Sequence, residues 1–278
     1  MSIDALVAEV ADSLGLENAQ PLTQGGQKLV LTGVLAGTRA VAKVILIPEG
    51  DSSDEVITRA EREVELLGAV DSPHVVKVLT DAVEIGGARP AICWAEEQLS
   101  GEDLGQLLDP CWSEEDVWSL LTDVAGGLYA CHELAVVHRD LSPGNVRRTD
   151  DGTFVLMDPG LARHLEKTAL TGVFQPGTPG FMSPEHVLGG SPLPASDVFV
   201  LGVLAFRVLT GRLPIAVGAG GDEYLTRLRD DVIPDVSTVG TGISVGLAEI
   251  INTCLEKQPA RRYLDGEELV AEIGRVRP

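Results

Sequence analysis

The spacing of apolar positions changes character along the chain. Residues 29–47 (LVLTGVLAGTRAVAKVILI) have the β-branched, alternating composition of strands, broken by a turn at Ala36–Gly37. In residues 54–70 the apolar positions fall at helical spacing, with Ile57, Ala60, Val64 and Leu67 on one face. Strand-like runs return at 74–85 and 90–96. From 113 onward helices dominate. Ser113 followed by Glu114 and Glu115 marks a helix start, and the periodic pattern runs to about Leu134. Further helices are predicted at 196–210, 243–256 and 266–275. A strand-rich start followed by a helix-rich remainder predicts an α+β chain of two lobes, a small sheet lobe (1–98) and a larger helical lobe (99–278), joined near 97–103.

Composition narrows the class. With 278 residues, 44% apolar and only 4% aromatic, the chain has the make-up of a globular protein packed mainly with aliphatic side chains. A formal charge of −21 argues against binding nucleic acid or an anionic membrane through electrostatics, and favours basic or neutral partners. Arginine outnumbers lysine 16 to 5, a bias that points to a G+C-rich, bacterial genome. The four cysteines, at 93, 111, 131 and 254, show no C-x-x-C spacing and read as isolated reduced thiols in a cytosolic protein. Residues 1–20 carry Asp4, Glu9 and Asp12 and have neither the basic start nor the apolar run of a signal peptide. The longest apolar stretch, Val198 to Leu209, is too short for a bilayer and contains Arg207, so a cytoplasmic chain without membrane insertion is expected.

The stretch that carries chemistry is His138-Arg139-Asp140-Leu141-Ser142-Pro143-Gly144-Asn145, followed, after an apolar run ending Val155-Leu156-Met157, by Asp158-Pro159-Gly160. Phosphoryl transfer to a hydroxyl needs a carboxylate near the acceptor oxygen and oxygen ligands that hold magnesium against the phosphates. Asp140 and Asn145 on one loop, with Asp158 on the next, supply one group for the acceptor and two for a metal. An H-R-D triplet alone is a weak signal. An H-R-D-x4-N followed by D-x-G beyond an apolar strand is a strong one, because several spacings must agree.

At these residues the chain resembles the protein kinase family, serine/threonine type, over nearly its whole length. The resemblance implies a two-lobed fold whose small antiparallel-sheet lobe has one main helix and whose larger lobe is helical. It also implies ATP with Mg2+ (or Mn2+) as cofactors, and a protein substrate. Ala40-Val41-Ala42-Lys43 is similar to the family's lysine strand, which would set Lys43 on the α- and β-phosphates, paired with Glu63 of the following helix. The resemblance makes Asp140 the catalytic base and Asn145 and Asp158 the magnesium ligands, and leaves His138 a packing role. Gly177 to Met182 and Ser183-Pro184-Glu185 resemble the substrate-receiving segment and its A-P-E motif. Asp197 resembles the buried aspartate that anchors the catalytic loop, and Arg262 the partner of Glu185. Arg139 would meet a phosphate on the segment Leu161 to Thr178, with Thr168 and Thr171 as candidates and Thr178 placed to meet Asp140. A homodimer phosphorylating itself in trans is compatible with that arrangement.

Three positions depart from the family pattern. The glycine-rich loop, Thr23-Gln24-Gly25-Gly26-Gln27-Lys28, keeps glycine at its middle position but has Thr23 and Lys28 at the outer places; the backbone amides at Gly25 and Gly26 can still cap phosphates. Ser142 stands where serine/threonine kinases carry a lysine toward the transferred phosphate, and Pro159 replaces the phenylalanine of D-F-G. These departures leave open a kinase-like binding module without useful turnover. A small-molecule phosphotransferase of aminoglycoside-kinase type shares the two aspartates and the asparagine, but the 177–185 segment, Asp197 and Arg262 resemble the protein-substrate architecture.

Overall fold

The computed structural model describes residues 3–25, 28–47, 53–86, 90–109, 112–160, 179–187, 190–218 and 221–277. They divide into two units. The first draws on the described residues of 1–71 and 76–99 with Gly160, and the second on Ser72–Val75 and the described residues of 100–159 and from 179 on.

The first unit contains α1 (Ile3–Leu14), β1 (Leu16–Gly25), β2 (Lys28–Leu35), β3 (Thr38–Leu46), α2 (Ser53–Gly68), β4 (Val83–Ile85) and β5 (Ala91–Glu97). The strands form an antiparallel sheet in the order β1-β2-β3-β5-β4. The turn between β2 and β3 falls where the sequence predicts it, with Ala36 and Gly37 both at positive φ. Helix α1 is a second helix beyond the one expected. Its Leu6, Val10 and Leu14 recur at four-residue spacing, so they form one apolar stripe that packs against β1, β4 and β5. That stripe shares a core with Leu29, Leu31, Ala40, Ala42, Val44, Cys93 and Ala95 from a single face of the sheet. Each fully buried aliphatic side chain there contributes about 1.5–3 kcal/mol. Because side chains alternate along a strand, Lys43, Trp94 and Glu96 must point to the opposite face. Helix α2 buries Ala60, Val64 and Leu67 and packs against β5.

The strand expected over 74–85 forms only at Val83–Ile85. Upstream, Val75 bridges Leu156 in parallel while Val78 bridges Glu96 in antiparallel fashion, so the segment changes partner and cannot run as one ladder.

The second unit begins with β6 (Glu102–Asp103), α3 (Glu114–Glu133), β7 (Val146–Arg148) and β8 (Phe154–Leu156), the strands pairing in the order β6-β7-β8. It continues through α4 (Pro184–Val187), α5 (Pro194–Thr210), α6 (Gly221–Asp230), α7 (Val236–Val239), α8 (Val245–Cys254) and α9 (Gly266–Val276). Ser113 caps α3 through its hydroxyl, which accepts the Asp116 amide at 3.2 Å. Helix α5 is apolar nearly all round and lies at the centre of the unit, packed on α3 and α8. Helix α6 escapes a hydrophobicity-based reading because it is mostly polar; Tyr224 and Leu228, one turn apart, are its buried anchors. At the start of α9 a Cβ on Gly266 would stand 2.3 Å from the Tyr129 amide nitrogen, so only glycine lets this helix meet α3 backbone to backbone. No described helix is long and apolar enough to cross a membrane.

Candidate active site

In the second unit the loop from His138 to Asn145 is built around one buried aspartate. Asp197, 2% exposed on α5, accepts the amides of His138 at 2.7 Å and Arg139 at 3.0 Å. His132 lies 3.1 Å from the same carboxylate through Nε2, and its Nδ1 accepts the Gly266 amide at 3.0 Å. That second bond fixes the tautomer: the ring proton sits on Nε2 and is donated to Asp197. The start of α9, the end of α3 and the loop are thereby tied through one carboxylate. The sequence reading found Asp197 and missed His132; the spacing of a helix-end histidine before H-R-D was the available signal.

The tie holds a strained backbone. Arg139 has φ +65°, a left-handed conformation that costs a non-glycine residue about 1–2 kcal/mol. Charge-assisted bonds from two adjacent amides to Asp197 offset that cost. Asp140 follows directly, its amide donating to the His138 carbonyl at 2.8 Å. Asn145 then donates Nδ2 to the Asp140 carbonyl at 2.8 Å, with Asp140 Oδ2 at 3.5 Å. His138 is fully buried.

Asn145 and Asp158 come together because they flank one hairpin. Asn145 precedes β7 and Asp158 follows β8, Val146 pairs with Leu156, and the Met157 amide donates to the Asn145 carbonyl at 2.9 Å. Asp158 has φ +54°, a region that aspartate enters more readily than most residues. With Nδ2 of Asn145 committed to the loop, its Oδ1 can serve as an oxygen donor, and the hairpin carries Asn145 and Asp158 at its two ends. Two hard oxygen donors of this kind suit a magnesium ion, which keeps water and phosphate oxygens in its other positions. Ser142 and Pro159 are both buried.

Arg262 and Glu185 form the predicted brace. The guanidinium donates to both carboxylate oxygens at 2.8 Å and to the carbonyls of Ala195, Glu256 and Lys257 at 2.9, 2.5 and 2.9 Å. It also stacks over Phe199, 4.7 Å from the ring centre. Burial pushes the Glu185 carboxyl up, but the bonds and charge of Arg262, with the Ser196 hydroxyl, outweigh it and hold the group below its usual range.

In the first unit Lys43 lies on β3, 7% exposed, and is ion-paired with Glu96 of β5. Glu96 also accepts the Trp94 indole N–H at 2.8 Å. Sequence reading missed Glu96; the signal was an acidic residue in the alternation Trp94-Ala95-Glu96, at the end of an apolar strand. Glu63 is half-buried on α2. Gly25 closes β1 opposite Lys28, while Gly26, Thr168, Thr171 and Thr178 lie outside the described residues. Burial pushes the thiols of Cys93, Cys131 and Cys254 up to about 12, which keeps them protonated and unreactive at neutral pH.

Residues 16–270 match the protein kinase domain model. A serine/threonine-protein kinase of Corynebacterium efficiens, drp72, is 31% identical over 243 residues, covering 86% of this chain and 46% of its own. PknA of Corynebacterium glutamicum is 30% identical over 258 residues, covering 91% of this chain and 54% of its own. PknL of Mycobacterium tuberculosis is 30% identical over 276 residues, covering 97% and 67%. The chain thus spans about half the length of the first two relatives. Among solved structures, the PknI kinase domain of Mycobacterium tuberculosis superposes with TM-score 0.67 at 21% identity, covering 94% of this chain and 96% of that one. Rad53 residues 1–466 in complex with AMP-PNP gives TM-score 0.71 at 20% identity, covering 92% and 65%. At these identities the two structures speak for the fold.

Proposed function

Because this chain belongs to the protein kinase family, we propose that it is an ATP-dependent serine/threonine kinase that phosphorylates protein hydroxyls, its own activation segment among them. The observation that carries this reading is the loop in which Asp197 pins the backbone at Arg139 while Asn145 bonds Asp140. A base and a metal ligand are held together by backbone contacts before any substrate arrives, and preorganisation of that kind is what phosphoryl transfer requires.

In the proposed mechanism Asp140 accepts the proton of the attacking hydroxyl as its oxygen closes on the terminal phosphorus. Asn145 and Asp158 would hold Mg2+, which when bound would supply positive charge to neutralise that developing on the transferred phosphate. Lys43, oriented by Glu63, contacts the α- and β-phosphates, and Gly25 and Gly26 cap phosphate oxygens through their amides. Arg139 receives the phosphate added at Thr168 or Thr171, and Thr178 orders against Asp140. The setting is cytoplasmic signalling, with protein substrates, without nucleic acid or membrane insertion, and with a homodimer for phosphorylation in trans.

Incubation of the purified chain with γ-labelled ATP and magnesium, followed by phosphosite mapping, tests the reading. Label is expected on Thr168, Thr171 or Thr178, and Thr168→Ala plus Thr171→Ala is expected to lower both labelling and activity toward an added protein. ATP binding without any transfer, to itself or to generic substrates, would leave a kinase-like binding module instead.

A further inference from the structure

Register fixes an unusual neighbour for Lys43. In the β3–β5 ladder Lys43 is opposite Trp94 and Val41 is opposite Glu96, so Glu96 is the diagonal neighbour of Lys43 on the same sheet face. Their side chains are 9% and 3% exposed and form an ion pair. The other carboxylate oxygen of Glu96 is held by the Trp94 indole at 2.8 Å. The strand beneath cannot slide away, because the Leu79 amide donates to the Ala95 carbonyl at 2.8 Å and the Glu97 amide to the Lys77 carbonyl at 2.9 Å. A carboxylate buried to this degree requires a partner, and Lys43 supplies it.

The charge of Lys43 is therefore already matched by a carboxylate on its own sheet. A phosphate oxygen that approaches Lys43 must displace or share Glu96, and it meets a second negative charge in a poorly solvated place. We propose that Glu96 is a built-in competitor for Lys43, an ion-pair partner that the nucleotide phosphates must displace or share, and that it thereby sets the affinity for the triphosphate. The inference rests on the reading that Lys43 meets the nucleotide phosphates. Glu96 acts through Lys43, so it is a positioning residue, and nucleotide binding becomes an exchange of one anionic partner for another. Since the competing charge is fixed in the fold, nucleotides with more phosphate charge at Lys43 are penalised while the nucleoside is not.

Glu96→Gln keeps the shape and an acceptor for Trp94 and removes the charge. By isothermal titration of the full chain, Mg-ATP is expected to bind about tenfold more tightly to this variant, with adenosine affinity unchanged. Glu96→Asp, which retains the charge, is expected to stay close to the wild type. Glu96→Leu should move in the same direction as Glu96→Gln and covers the case in which the amide variant misfolds. Lys43→Met in parallel reports on the underlying reading: it should weaken Mg-ATP and spare adenosine. If Lys43→Met does so while both neutral variants bind Mg-ATP no more tightly than the wild type, the competitor role is overturned and the phosphate role of Lys43 stands. If Lys43→Met leaves Mg-ATP affinity unchanged, the phosphate reading fails and the competitor role falls with it. Equal tightening of adenosine and Mg-ATP also overturns the proposal, since that marks a change of pocket shape and not of charge.

Discussion

Asp140→Asn is expected to slow phosphate transfer by about 10²–10⁴-fold, the range a positioned general base supplies, while Mg-ATP affinity stays near that of the wild type. The substitution changes one oxygen to nitrogen and leaves the loop's internal supports in place. Asp197 grips the loop through the His138 and Arg139 amides, and Asn145 donates to the Asp140 carbonyl at 2.8 Å, so all three contacts bind backbone atoms that the variant retains. What disappears is a carboxylate able to take the hydroxyl proton. Single-turnover transfer from labelled ATP, alongside a nucleotide titration, separates the two quantities. Transfer at the wild-type rate in the variant would remove Asp140 as the base. A joint loss of transfer and nucleotide binding would show that the side chain supports the loop instead.

Arg262→Met is expected to destabilise the second unit by about 3–5 kcal/mol, the usual consequence of leaving one member of a buried ion pair without its partner. For a unit of this size that corresponds to a fall in Tm of about 10 °C. The number is large because Arg262 does several things at once. Its side chain is fully buried, it braces Glu185 with two bonds of 2.8 Å, it satisfies three carbonyls, and it covers the Phe199 ring. Adding Glu185→Gln to the variant removes the stranded charge and is expected to recover part of the loss, which a double-mutant cycle measures. The same pair fixes a direction on the acid side. The Glu185 carboxyl is held below its usual value of 4.5, so its contribution is complete above that value and is lost as pH falls through the lower, folded one. Thermal melts over that range should therefore fall more steeply for the wild type than for Arg262→Met. Parallel slopes would mean that the pair contributes nothing to acid stability.

Both expectations join groups that the sequence located separately. The triplet Asp140, Asn145 and Asp158 was legible because it is local: His138 to Asn145 form one continuous loop, and Asp158 follows the strand that pairs with the residues just after that loop. The helix starting at Ser113 was legible for the same reason, since a cap and its amide are three residues apart. The helices near 196–210, 243–256 and 266–275 declared themselves by periodicity within single segments. Glu185, Asp197 and Arg262 carried recognisable neighbours, and the structure brings Glu185 and Arg262 together across the unit.

Four features were not legible. Helix α1 was read only for what it lacked as a leader, although Leu6, Val10 and Leu14 have helical spacing. The 74–85 run has strand composition, yet it switches partners between Val75 and Val78. His132 gains meaning only when α9 brings the Gly266 amide to one side of its ring and α5 brings Asp197 to the other. Glu96 looks like an ordinary strand-end acid until β5 is laid against β3.

By itself, then, the sequence determined the family motifs, the order in which they occur, and the helices and strands that short-range periodicity can encode. Tertiary structure alone decided that Lys43 is paired with Glu96, that α1 covers the sheet face away from Lys43, and that one carboxylate joins α3, α9 and the His138–Asn145 loop. The division follows from physics. Alternation along a strand fixes which face a side chain takes, but the register between strands some fifty positions apart is set by the packing of the whole sheet, and a one-residue slip would have turned Glu96 away from Lys43.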